Sequence, residues 1–127
     1  MSFVPSGNLV LVVDDDRAVL KAVKRVLRQH GFETMLFPSA DAFRSHKDFE
    51  DVICVILDLD LKHESSIPLR HRLAADGIAV PVIYITGNDS EAVRQAALQS
   101  GSIHYLLKPF SAKSLIESVK IAQALSV

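Results

Sequence analysis

Cysteine is nearly absent from this chain, and so are any excess of charge and any long apolar run. The lone Cys54 excludes an intramolecular disulfide and fits a reducing compartment. It lies within the apolar run Val52-Ile-Cys-Val-Ile-Leu57, where a buried, inert thiol is expected. Lys and Arg number 14 against 15 Asp and Glu, a net charge of −1. The basic footprint that nucleic-acid binding leaves is therefore missing. No apolar run approaches the roughly 20 residues needed to cross a bilayer. Met1 to Asn8 has no basic residue and no apolar stretch, so it does not read as a signal peptide. Together these absences predict a cytoplasmic chain with no membrane segment and no direct contact with nucleic acid.

What is present is the composition of a globular domain. The chain has 127 residues, 49% hydrophobic and 23% charged, enough to bury a core without staples. One domain over 1–127 is expected, with a structured core at about 8–125.

Short apolar runs alternate with helical patterns. Leu9-Val-Leu-Val-Val13 is β-branched and nearly continuous, which suits a strand buried on both faces. Asp16 then opens a helix to Gln29, with Val19, Leu20, Val23, Val26 and Leu27 on one face and Gly31 as its stop. Phe32 to Phe37 reads as a second strand, and Ser39 caps a short helix from Ala40 to about His46. Val52 to Leu57 is the third strand. A polar loop, Asp58 to Ser65, follows it, and Ser66 is placed to cap a helix ending at Gly77, whose early Pro68 is tolerated in the first turn. Pro81 to Ile85 is the fourth strand. Asn88 and Glu91 resemble a capping box for a helix to Ser100, which Gly101 ends. Ile103 to Leu107 is the fifth strand, and Ser111 starts a last helix with Leu115, Ile116, Val119 and Ala122 on one face. Five such units predict an α/β fold, a doubly wound (βα)5 parallel sheet with helices on both faces.

In open sheets of this kind, ligands bind beyond the carboxyl ends of the strands. Asp14-Asp15-Asp16 follows the first strand, Asp58-Leu59-Asp60 the third, Thr86-Gly87 the fourth and Lys108-Pro109 the fifth. Two carboxylates about 5 Å apart repel by roughly 3 kcal/mol at an effective dielectric of about 20. A cluster of three or four therefore needs cations. Lys108 supplies one charge, and a hard oxygen site of this type suits Mg²⁺. Each residue also has a plain structural reading: Asp16 a helix cap, Asp14 and Asp15 turn residues, Thr86 a strand-end threonine, Lys108 a surface lysine. Their convergence at four strand ends is what points to chemistry.

Val12-Val-Asp-Asp-Asp16, Val55-Ile-Leu-Asp58, Val82-Ile-Tyr-Ile-Thr-Gly87 and Tyr105-Leu-Leu-Lys-Pro-Phe110, in this order, resemble the receiver domain of two-component response regulators. The Ile-Thr-Gly form and Phe37-Pro-Ser-Ala-Asp-Ala-Phe43 look like receivers of the nitrogen-fixation regulator type. The resemblance implies a flavodoxin-like sheet of order 2-1-3-4-5 and a cis Lys108-Pro109 bond. It implies that Asp58 is the phosphoacceptor, that Asp15 binds Mg²⁺ directly and Asp14 through water, and that Asp58 and the Asp60 carbonyl complete the metal ligands. Thr86 and Lys108 would hold the phosphoryl oxygens. Thr86 and Tyr105 would be the switch residues that alter the face made by the fourth helix, fifth strand and fifth helix. The implied partners are a histidine kinase or histidine phosphotransfer protein as donor and a downstream protein as target, with the chain a monomer or a phosphorylation-dependent homodimer. As a signalling domain it would not be an enzyme beyond self-phosphorylation from small donors and self-dephosphorylation. If the chain is complete at Val127, output would run through protein contact or onward transfer to a histidine; if it is a piece of a longer protein, an output domain would follow.

The loop after Asp58 departs from the family pattern. Lys62 and Ser66 stand where the family usually has Pro and Gly, which puts loop geometry and metal affinity in question. Asp60 adds another acid, and the resemblance implies that Asp60 and Asn88 occupy positions that in the family tune hydrolysis of the aspartyl phosphate, so a changed phosphoryl lifetime is expected. His63 reads as a solvated loop residue. Two alternatives stay open: a pseudo-receiver that binds partners without phosphorylation, and a phosphohydrolase of the haloacid-dehalogenase type, in which Asp58-Leu-Asp60 would supply nucleophile and acid.

Overall fold

The computed structural model describes residues 7–61, 64–87, 90–99 and 104–125. Lys62, His63, Asn88, Ser100, Gly101 and Ile103, all named above, lie outside the described residues. The elements in chain order are β1 (Leu9–Val13), α1 (Arg17–Gln29), β2 (Glu33–Phe37), α2 (Ala40–Arg44), β3 (Val52–Asp58), β4 (Asp60–Leu61), β5 (Glu64–Ser65), α3 (Ile67–Ala75), β6 (Val82–Thr86), α4 (Glu91–Gln99), β7 (His104–Leu107) and α5 (Ala112–Leu125).

Five strands form one parallel sheet in the order β2-β1-β3-β6-β7. Taken alone, these strands follow the expected 2-1-3-4-5. The labels differ because β4 and β5, where a plain loop was expected, pair antiparallel through Asp60↔Ser65 and Leu61↔Glu64.

Alternation along the strands makes two cores. Val10, Val12, Ile56, Ile83 and Ile85 face α1 and α5, meeting Leu20, Val23, Leu27, Leu115 and Val119. Leu11, Val13, Val55, Leu57 and Tyr84 face the other way, meeting Phe43 of α2, Leu69 and Leu73 of α3 and Ala97 of α4. Every residue of β3 and β6 is buried, as a central strand covered on both faces requires. Each buried Leu, Ile or Val stabilises the fold by about 1.5–3 kcal/mol before the entropy of ordering it is counted.

Local signals explain the helix ends. Asp16 caps α1, its side chain accepting from the Ala18 N–H at 2.9 Å. Gly31 follows α1 at φ +86°, a conformation that costs a residue with a Cβ. Ser39 caps α2, and Ser111 Oγ accepts from the Ser114 N–H at 3.0 Å ahead of α5. Two expectations need correction. Ser66 makes no side-chain cap; it sits in the right-handed helical region with its hydroxyl turned inward and lacking a partner. α2 stops at Arg44 rather than His46, because Phe43, His46 and Phe49 pack edge to face and draw the chain toward β3. Among the described residues, no helix is long and apolar enough to cross a membrane.

Candidate functional site

The carboxyl ends of β1, β3, β6 and β7 meet at one edge of the sheet. Asp14 directly follows β1 and keeps its ladder going, its N–H donating to the Phe37 carbonyl at 3.1 Å. Its Oδ1 accepts from the Asp16 N–H at 2.8 Å, which holds the buried carboxylate toward the neighbouring strand end. Asp58, the last residue of β3, repeats the device: its Oδ1 accepts from the Asp60 N–H at 2.9 Å. In both places an Asp-x-Asp triplet closes the same local turn.

Lys108 crosses from the end of β7. Its backbone N–H donates to the Thr86 carbonyl at 2.7 Å, and its Nζ lies 3.0 Å from Asp14 Oδ2 and 3.2 Å from Asp58 Oδ2. The Lys108-Pro109 bond is cis. One ammonium thus serves two buried carboxylates. Oxygens of Asp14, Asp15 and Asp58 all lie within 4.8 Å of one another, with Asp15 the half-buried member.

The electrostatics follow from this crowding. Burial pushes the Asp58 carboxyl up to about 6, the Asp14 charge adds to the rise, and the Asp60 N–H and Lys108 oppose it. Burial disfavours the Lys108 ammonium, but hydrogen bonds and charges from Asp14 and Asp58 outweigh it and hold its pKa above the ordinary value. Three convergent carboxylates and one ammonium leave net negative charge in a confined space. The donor set is hard oxygen only, and it fits a divalent cation such as Mg²⁺ that keeps much of its water.

Thr86 ends β6 and is wholly buried. Its hydroxyl donates to Asp60 Oδ2, which also accepts from the Gly87 N–H at 3.3 Å. The resemblance implies a metal-binding role for the Asp60 carbonyl, beside the acidic cluster. The side chain turns to Thr86. The Gly87 N–H was not singled out from the sequence, although a glycine directly after a strand-end Thr is a cue for an accessible backbone donor.

Tyr105 lies farther out on β7, beside Tyr84 in the ladder and half-buried. The Arg94 guanidinium of α4 sits 5.8 Å from its ring centroid. Around it, Leu98 and Leu107 are 52% and 36% exposed, giving the α4–β7–α5 face an apolar character. The structure therefore brings Asp14, Asp15, Asp58 and Lys108 together, joins Thr86 to Asp60, and sets Tyr105 apart on a neighbouring surface.

Comparison with known proteins matches residues 10–120 to the family model of the response regulator receiver domain. The response regulator protein TmoT of Ectopseudomonas mendocina is 30% identical over 119 residues, covering 94% of this chain and 54% of TmoT. The chain spans about half the length of the curated relatives it matches. The crystal structure of FixJ-N superposes with a TM-score of 0.81 at 28% identity, covering 91% of this chain and 93% of that one. A CheY-like receiver domain protein from Methanospirillum hungatei JF-1 shares the fold, with a TM-score of 0.85 at 24% identity over 94% and 96% of the two chains. Between the receiver and phosphohydrolase readings, the family model selects the receiver.

Proposed function

From the premise that this chain belongs to the response regulator receiver domain family, we propose that Asp58 accepts a phosphoryl group and that the α4–β7–α5 face carries the resulting signal to a protein partner. The observation that carries the reading is the setting of Asp58: buried at a strand end, 3.2 Å from Lys108 Nζ and clustered with Asp14 and Asp15.

Phosphoryl transfer needs alignment and charge neutralisation more than covalent help. An oxygen of Asp58 attacks phosphorus, the bond from phosphorus to the donor's imidazole nitrogen breaks, and an acyl phosphate remains. Hydrogen bonds from the Asp60 N–H and Lys108 hold the carboxylate still. The Lys108 ammonium neutralises charge on the phosphoryl oxygens, and the Thr86 hydroxyl is the donor at the adjacent strand end. Asp14, Asp15 and Asp58, with the Asp60 carbonyl, would hold Mg²⁺, which when bound supplies the remaining positive charge. The donor is a histidine kinase or histidine phosphotransfer protein, placing the chain in a cytoplasmic phosphorelay. On the output side, movement of Thr86 and Tyr105 changes the apolar surface around Leu98 and Leu107. A few kcal/mol of differential stability is enough for such a population shift.

Intact-mass measurement after incubation with Mg²⁺ and acetyl phosphate tests the proposal. One added phosphoryl group that needs metal and vanishes in Asp58→Asn is expected. No adduct on a folded, Mg²⁺-saturated protein would overturn it.

A further inference from the structure

Asp60 holds two positions in the site at once. Its backbone N–H donates to Asp58 Oδ1 at 2.9 Å, and its side chain crosses to the end of β6. There Oδ2 accepts from both the Thr86 hydroxyl and the Gly87 N–H, the latter at 3.3 Å. Thr86 ends, and Gly87 directly follows, the strand that pairs with β3, where Asp58↔Ile85 is the last rung. A group attached to Asp58 would extend from the rung next to these donors.

We infer that Asp60 is a positioning residue that acts as a built-in anionic competitor: its carboxylate occupies the Thr86 hydroxyl until a phosphoryl oxygen displaces it. This rests on the phosphoacceptor reading above and adds a step to it. In the resting chain the buried hydroxyl is already engaged by a charged acceptor, and hydrogen bonds of that kind are the stronger sort. A phosphoryl group therefore gains from Thr86 only the difference between two charge-assisted bonds. The displaced carboxylate also meets a more negative neighbour, so its departure and the arrival of the phosphoryl group are linked. Asp60 is exposed, so its side chain can rotate into water once displaced, while Thr86 stays buried and changes partners.

The competing explanation is simple repulsion, in which Asp60 opposes an incoming anion by charge alone. A double-mutant cycle separates the two. The probe is beryllium fluoride, a tetrahedral anionic stand-in for the phosphoryl group, titrated at saturating Mg²⁺ into wild type, Asp60→Ala, Thr86→Ala and the double variant. Competition predicts that Asp60→Ala tightens binding about tenfold when Thr86 is present, equivalent to about 1.4 kcal/mol, and much less when residue 86 is Ala. Thr86→Ser, which keeps the hydroxyl, should restore the effect, and Asp60→Asn, which keeps an acceptor without the charge, should fall between wild type and Asp60→Ala. An equal change from Asp60→Ala in both backgrounds would show repulsion alone and overturn the inference. If neither wild type nor Asp60→Ala binds the anion in the presence of Mg²⁺, the phosphoacceptor reading itself fails and the inference falls with it. Thermal unfolding of every variant establishes that the titrations compare folded proteins.

Discussion

Asp58→Asn should make the metal-free protein more stable, although it removes an ion pair. Asp58 is 2% exposed, and its carboxyl is pushed from 3.8 to about 6. That rise already includes the favourable Lys108 charge and the Asp60 N–H, so it measures the net cost of ionising this side chain in the fold. Between 3.8 and about 6 the folded chain binds more protons than the unfolded one. Stability therefore falls as pH rises through that window, is unaffected by this group below it, and carries the full loss above it. The loss at pH 7 is about 3 kcal/mol, and near pH 5 about half of that. Asn keeps an acceptor for the Asp60 N–H and carries no charge. For a chain of this size the gain corresponds to roughly 10 °C in Tm. Thermal and urea unfolding in EDTA at pH 7 and pH 5, wild type beside Asp58→Asn, gives the comparison. A variant no more stable than wild type at pH 7, or an advantage that does not shrink at pH 5, would refute the reasoning.

The same electrostatics predict that Mg²⁺ raises Tm, by the equivalent of about 2.7 kcal/mol at a hundredfold excess over its Kd. Asp15→Asn should lose most of that shift, and an equal response to NaCl at matched ionic strength would exclude a specific site. Cys54 is fully buried and its thiol is pushed up to about 12, so a disulfide reagent near pH 8 should label it only as fast as the protein unfolds. Rapid labelling of the native chain would contradict the packing around β3. Ser66 buries a hydroxyl with no partner, so Ser66→Ala should stabilise the fold by about 1 kcal/mol in equilibrium unfolding. A loss of stability would mean that the hydroxyl is satisfied by water.

The parts of the fold visible in the sequence are those whose cause is local. β1, β3 and β6 were legible because a strand covered on both faces must be apolar at nearly every position, and their ends came out within a residue. Asp16, Ser39 and Ser111 were legible because a cap bonds within two or three residues of itself. The start of α4 shows the limit of that reasoning. Ser90 Oγ accepts from the Val93 N–H at 3.1 Å, a cap two residues beyond the Asn88 that the capping-box pattern suggested. The β4–β5 ladder escaped because two-residue strands have no period to detect, and the inward turn of Ser66 because a serine before a helix is ordinarily a cap.

The two Asp-x-Asp triplets show why the site was only partly legible. Each begins with an aspartate at the end of an apolar strand, so the first members could be placed from sequence, and both accept the N–H two residues on. The third members diverge. Asp16 is followed at once by a helix, whose free N–H groups take its carboxylate. Asp60 opens the two-residue strand β4, and its carboxylate finds the Thr86 hydroxyl, 26 residues away in sequence and one strand away in space. Which donor an acid meets is thus set by the register between β3 and β6, and no spacing within either segment encodes that. The side chain of Asp60 is joined to the hydroxyl that an incoming phosphoryl group would need, which is why the coupling between Asp60 and Thr86, rather than the effect of either alone, is the informative quantity.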